Sequence, residues 1–150
     1  MSHTYTKLLT HIVFSTKNRF PFINEHLRPR LFPYMGGIVR ELDGQPILVN
    51  GIADHVHLLV ALPPRLSLSD VLRTVKTNSS HWVHEEFPSL RKFAWQTGFS
   101  AFSVSYGHLE RVRNYIANQQ EHHRRKTFQE EYLNFLKEQA VEYDEKYLWD

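Results

Sequence analysis

"GIADHVHLLVALPP", residues 51–64, decides the fold. It sets two histidines one residue apart in an apolar run that reaches back through "PILVN". Branched and leucine-rich stretches bounded by Asp54 and by Pro63-Pro64 read as two strands, 46–53 and 55–62. A strand alternates its side chains, so His55 and His57 project from one face and Asp54, Val56, Leu58 and Val60 from the other. Burying an unpartnered imidazole costs free energy, so the pair needs partners.

On either side, other elements follow by pattern. "YTKLLTHIVFSTK" (5–17) is rich in β-branched and aromatic residues and reads as a strand. In 24–44, Leu27, Leu31, Tyr34, Ile38 and Leu42 recur at helical spacing, with Pro33 and Gly36-Gly37 expected to kink the helix and Asp43-Gly44 to end it. Ser67 followed by Asp70 opens a helix to about Phe87-Pro88, its apolar face at Leu68, Val71, Leu72, Val75, Trp82 and Val83. "FAWQTGFSAFSVS" (93–105) reads as strand, turn at Thr97-Gly98, strand. Residues 108–125 read as one helix with a stripe at Leu109, Val112 and Ile116. Thr127 and Glu130 cap a last helix, about 127–145, whose buried face is Phe128, Tyr132, Phe135, Leu136 and Tyr143. The order β, α, β, β, α, β, β, α, α predicts an α+β, two-layer, ferredoxin-like (split βαβ) antiparallel sheet with helices on one face, in a single domain spanning 1–150.

Bulk properties narrow the function classes. The 150 residues hold no cysteine, which excludes disulfides and thiolate metal sites. The N-terminus lacks signal-peptide organisation and no apolar run nears the ~20 residues of a membrane span, so a cytoplasmic protein without membrane association is expected. Net charge is +2, but unevenly spread: residues 1–126 carry 16 Lys/Arg against 9 Asp/Glu, residues 127–150 carry 2 against 7. A basic body with an acidic tail suits a polyanionic ligand, and equally an unevenly charged solvated surface.

Two imidazoles on one strand face can bind one divalent metal, with a third ligand from elsewhere; they can also simply bond to backbone or water. "EHHRR" (121–125) is a poorer chelate, because adjacent helical residues diverge, and reads as a basic exposed face. Tyr115 and Gln119, four apart, share the edge of the helix stripe. A phenol attacks phosphorus if a metal withdraws charge and its proton is removed. A Gln oxygen is a hard ligand suited to Mg²⁺ or Mn²⁺. Alone, Tyr-x-x-x-Gln reads first as a boundary tyrosine with an exposed glutamine.

Taken together, His-hydrophobe-His on a strand and Tyr-x-x-x-Gln on a helix about 60 residues later resemble the HUH single-strand nucleases of the one-tyrosine type. More closely, the chain resembles the small IS200/IS605-type transposases, relatives of the REP-associated tyrosine transposases. "HIVFSTKNR", "GIADHVHLLVALPP", "SLSDVLRTVKTNSS", "FAWQTGFSAFSVS", "VRNYIANQQEHH" and "EEYLNFLKEQAVEYDEKYLW" carry the resemblance nearly end to end. It implies Tyr115 as the nucleophile and His55, His57 and Gln119 as metal ligands. It implies cleavage and rejoining of single-stranded DNA through a 5′-phosphotyrosine, hairpin ends as the DNA partner, a homodimer, and no nucleotide cofactor. The cofactor is then Mg²⁺ or Mn²⁺, with Mn²⁺ held more tightly by imidazoles. Asp54 could orient a histidine or cap a turn.

Candidate phosphate contacts are Lys7, Lys17, Arg19, Arg28, Arg30, Arg40, Arg73, Lys76, Arg124, Arg125 and Lys126. Phe20, Phe22 and Trp95 could stack on bases, though core packing suits Trp95 better. Rival readings are a DNA-binding relative that no longer cuts, a two-H-x-[ST] phosphoesterase, for which no second motif is present, and an HUH replication initiator, for which the chain is short.

Overall fold

The computed structural model describes residues 3–124 and 126–150. Its core is a four-stranded antiparallel sheet: β1 (Leu9–Ser15), β2 (Gln45–Ile52), β3 (His55–Ala61) and β4 (Ser100–Val104), in the order β2-β3-β1-β4. β1 and β2 are split by β3, and α1 (Arg28–Glu41) and α2 (Leu68–Glu86) make the crossovers. This is the expected ferredoxin-like α+β topology.

Register assigns the two faces. His57 lies opposite Val13 and Asn50, and His55 opposite Ser15 and Ile52. His11, Val13, His55, His57 and Phe102 therefore share one face, and Ile12, Phe14, Val56, Leu58 and Val60 the other. The second face packs on Leu31, Met35, Val39, Val71, Leu72 and Val75 of α1 and α2, the main core. Ser67 caps α2 by accepting the Asp70 N–H, worth about 1 kcal/mol. Pro33 is accommodated inside α1.

Helices on one face were expected, and α1 and α2 obey that. The C-terminal helices instead cover the histidine face. These are α3 (Leu109–Ala117), α4 (Gln119–His122) and α5 (Phe128–Glu138). On that face, Phe128, Tyr132 and Leu136 close on Val13 and Phe102. Among the described residues, no helix is long and apolar enough to cross a membrane.

Three expected boundaries are corrected. The stretch before Gly98 forms no strand beyond one Thr16–Trp95 bridge. Trp95 is a core residue whose indole N–H donates to Ser79 Oγ, and Gln96 Oε1 accepts the Ser15 N–H. Lys76 Nζ donates to the carbonyls of Gln96, Thr97 and Gly98 at 3.0, 3.2 and 2.6 Å. Side chains thus satisfy backbone groups that a ladder would have used. Second, the single helix expected over 108–125 breaks at Asn118 (φ −100, ψ 27), where Asn50 Nδ2 of β2 donates to the Ile116 carbonyl at 2.8 Å. Third, α5 stops at Glu138: Ala140 turns left-handed (φ 53) and Val141 N–H closes on the Leu136 carbonyl. Tyr143 is exposed rather than part of the buried face.

Candidate metal and tyrosine centre

His55 and His57 are both 0 % exposed and lie on the sheet face that α3 to α5 cover. Gly51 allows this crossing. A Cβ there would sit 2.2 Å from the His55 carbonyl oxygen and 2.9 Å from Val56 Cα. The turn after Ile52 then carries Asp54, whose Oδ1 is 2.8 Å from His55 Nδ1. Of the two roles left open by the sequence, the contact with His55 favours orienting a histidine: the Asp54 side chain bonds the His55 ring from within the turn.

The opposite nitrogens of the two rings point at α5. Glu131 Oε1 lies 2.9 Å from His57 Nε2 and 3.4 Å from His55 Nε2. Gln119, 0 % exposed, places Oε1 3.1 Å from His55 Nε2. Its amide donates from Nε2 to Glu131 Oε2 at 3.4 Å. The Tyr115 hydroxyl donates to Glu131 Oε2 and lies 2.9 Å from His122 Nε2. Glu131, 2 % exposed, is thus where the pair, the glutamine and the tyrosine meet.

The sequence reading missed Glu131, yet a signal existed. It falls inside the apolar stripe of Phe128, Tyr132 and Phe135, where a buried carboxylate requires partners. His11 was missed too; it lies on the same face as Val13, and its Nε2 is 2.8 Å from His57 Nδ1. The "EHHRR" expectation is corrected. The His122 and His123 Nε2 atoms both lie 3.2 Å from Glu131 Oε2, and the His123 side chain is buried. Both rings follow the break at Asn118 (φ −100, ψ 27), His122 as the last residue of α4 and His123 as its C-cap.

Electrostatics follow from this packing. Burial opposes charge on His55, but Asp54 and Glu131 outweigh it and raise its pKa to about 9. Burial lowers His57 to about 4 despite Glu131, and lowers His11 to about 3. Burial alone would raise Glu131; hydrogen bonds from His123, His55 and His57 hold it well below the usual carboxylate range instead. Burial and then the Glu131 charge push the Tyr115 phenol upward, so its hydroxyl stays protonated.

One nitrogen from His55, one from His57 and one oxygen of Glu131 all lie within 4.8 Å of one another. Two imidazoles and a carboxylate, with the Gln119 oxygen beside them, suit a divalent cation of intermediate hardness such as Mn²⁺. A cleft of about 580 Å³ between β4, α3 and α5 opens beside this group, lined by His11, Arg111, Tyr115, His122, Glu131 and Phe135 among others.

The basic candidates are dispersed. Arg28 pairs with Glu25, Arg30 with Glu86, Arg73 with Asp70, and Arg124 with Glu121. Lys7 lies over the Tyr106 ring and Arg19 over Trp149. Lys17 is exposed, whereas Lys76 is engaged by its three carbonyls. Arg125 lies outside the described residues. Phe20 is exposed and Phe22 packs on the core.

A buried H-x-H pair on a four-stranded ferredoxin-like sheet, faced by a tyrosine helix, defines a class of transposase, and residues 4–119 match the family described as "Transposase IS200 like". The chain belongs to the IS200-like transposases. Among its relatives, the IS200 transposases of Salmonella typhimurium (strain LT2) and Salmonella typhi are each 30% identical over 132 residues, covering 81% of this chain and 82% of theirs. A solved Deinococcus radiodurans chain, described as a candidate transposase, has a TM-score of 0.66 and 22% identity, covering 79% of this chain and 96% of that one. A REP-associated tyrosine transposase bound to a REP hairpin has a TM-score of 0.53 and 14% identity, covering 94% and 74%. Glu131 and α5 lie beyond the matched family segment.

Proposed function

We propose that this transposase cleaves and rejoins single-stranded DNA at hairpin-bearing element ends, with Tyr115 as nucleophile and a divalent cation held by His55, His57, Gln119 and Glu131. The observation that carries the reading is the meeting of the Tyr115 hydroxyl, two imidazole nitrogens and an amide oxygen around one buried carboxylate. A cation bound there would draw charge from the phosphate and ease nucleophilic attack.

The chain's own residues do the rest. Asp54 fixes the His55 ring from behind, and Gln119 brings its oxygen to the same nitrogen that faces Glu131. Glu131 and His122 hold the phenol at the inner end of the cleft. The Tyr115 oxygen bonds to phosphorus, the bond from phosphorus to the 3′ oxygen breaks, and the phenol proton is given up as the 3′ oxygen gains one. The products are a 5′-phosphotyrosine and a free 3′-OH. Attack by a 3′-OH reverses the step on another strand with no net change in bond type, so no nucleotide cofactor is required. Within one chain Tyr115 already meets the histidine pair at Glu131, and the homodimer implied by the resemblance is kept as part of this reading. The REP hairpin in the structural neighbour supports a hairpin substrate. The exposed cations at Lys7, Lys17, Arg30, Arg73 and Arg124 and the half-buried Arg19 and Arg28, together with Arg125, would contact phosphates. Lys76 is left out of this set because the fold engages it.

The test is denaturing gel analysis of labelled hairpin DNA incubated with protein and Mn²⁺. A covalent species mapping by mass spectrometry to Tyr115, absent in EDTA and in Tyr115→Phe, is expected, while Tyr115→Phe keeps DNA binding. Binding without any adduct from the wild-type protein would favour the non-cutting reading instead.

A further inference from the structure

Nε2 of His57 faces Glu131, so the ring's orientation depends on what holds Nδ1. That atom is 2.8 Å from Nε2 of His11, on the neighbouring strand β1. The two ring planes differ by 21° with centroids 5.0 Å apart, so an N–H in one plane is aimed near the lone pair of the other. His11 is 3 % exposed, and Phe135 packs on its ring edge-on at 5.1 Å. The pair is therefore fixed between strand backbone and α5, and His11 also lines the cleft.

We propose that His11 is a positioning residue for His57, keeping Nε2 of His57 aimed at the cation site through a hydrogen bond that can run in either direction. This rests on the metal reading above. Without a cation, Glu131 accepts from the His57 Nε2–H, so Nδ1 of His57 is an acceptor and His11 donates. With Nε2 of His57 committed to a cation, the His57 proton resides on Nδ1 and donates to Nε2 of His11. His11 then carries its own proton on Nδ1; the proton lost at one end of the pair is matched by one gained at the other. A carboxylate could only accept and an ammonium only donate. The contrast is Asp54 behind His55: it can only accept, so His55 keeps an Nδ1–H in both situations.

The experiment measures Mn²⁺ affinity by titration calorimetry on the full chain, as wild type, His11→Leu and His11→Gln, beside metal-free thermal unfolding. His11→Leu is expected to bind Mn²⁺ about 10–100-fold more weakly. His11→Gln, whose amide can donate or accept, recovers most of the affinity although it packs less like histidine. Long-range ¹H–¹⁵N spectra of the wild type should also show the His57 proton moving from Nε2 to Nδ1 when Zn²⁺ is added, a readout independent of any variant's folding. Unchanged affinity in His11→Leu, or equal loss in Leu and Gln, would overturn the proposal alone; a His57 proton that stays on Nε2 with Zn²⁺ bound would overturn it together with the place of His57 in the ligand set. A wild-type protein that binds no Mn²⁺, indistinguishable from His55→Ala, would overturn the metal reading with it.

Discussion

Glu131 shows how one side chain can reorganise a site. Its carboxylate lies in an apolar stripe and is stabilised because Tyr115, Gln119, His55, His57 and His123 donate to it. Glu131→Gln is expected to lower Mn²⁺ affinity at least about 10-fold, since it removes the anionic group that, among the described residues, faces both imidazoles. Calorimetric titration giving wild-type affinity would remove Glu131 from the ligand set. Lys76 offers a pH test remote from that centre. Burial lowers its pKa from 10.5 to about 8. Below about 8 the lysine is charged in both states, and the folded state carries the desolvation cost. Between about 8 and 10.5 the unfolded chain holds a proton that the folded chain has released, so stability rises with pH. Urea unfolding should show wild type gaining on Lys76→Met as pH is raised through that window; a constant difference would refute the desolvation.

Elements place these residues through two small features. Gly51 is one: its missing Cβ lets β2 pass the His55 carbonyl. Gly51→Ala is expected to cost roughly 2–3 kcal/mol, because the obstacle is backbone rather than a flexible side chain. Chemical denaturation within about 0.5 kcal/mol of wild type would show that β2 and β3 can separate there freely. The other is the α3–α4 break. The 3.6-residue period put Tyr115 and Gln119 on one continuous helix face; in the structure the Asn50 amide captures the Ile116 carbonyl and the helix breaks at Asn118 between them. The result delivers Gln119, His122 and His123 to the same carboxylate, a convergence that adjacent positions on an unbroken helix would not give.

Across the whole molecule, the sheet separates two jobs. One face, with α1 and α2, builds the main core; the other, with α3 to α5, encloses the polar centre. The basic residues lie around this body and most carry a local acidic or aromatic neighbour, so no one of them dominates. Hairpin DNA binding should therefore depend on their sum, weakening at least about 10-fold between 50 and 200 mM salt. Fluorescence anisotropy that is insensitive to salt over this range would count against a phosphate-dominated interface. Charge reversal at a single arginine should weaken binding without changing which hairpin is preferred.

The sequence by itself determined the strand pair around His55 and His57, the α1 and α2 crossovers and the ferredoxin-like class, because periods of two and 3.6 and the cap residues are local signals. It also singled out Tyr115, Gln119 and the two histidines as candidates, since their spacing matches a family pattern. Tertiary structure alone decided that Glu131 and His11 join them, that the His123 side chain is buried, and that residues 93–98 are held by Gln96 and Lys76 rather than by a ladder. The reason is physical. A buried polar group is specified by its partner, and for His57 and Gln96 those partners are 46 to 81 residues away in the chain, where no local period carries information.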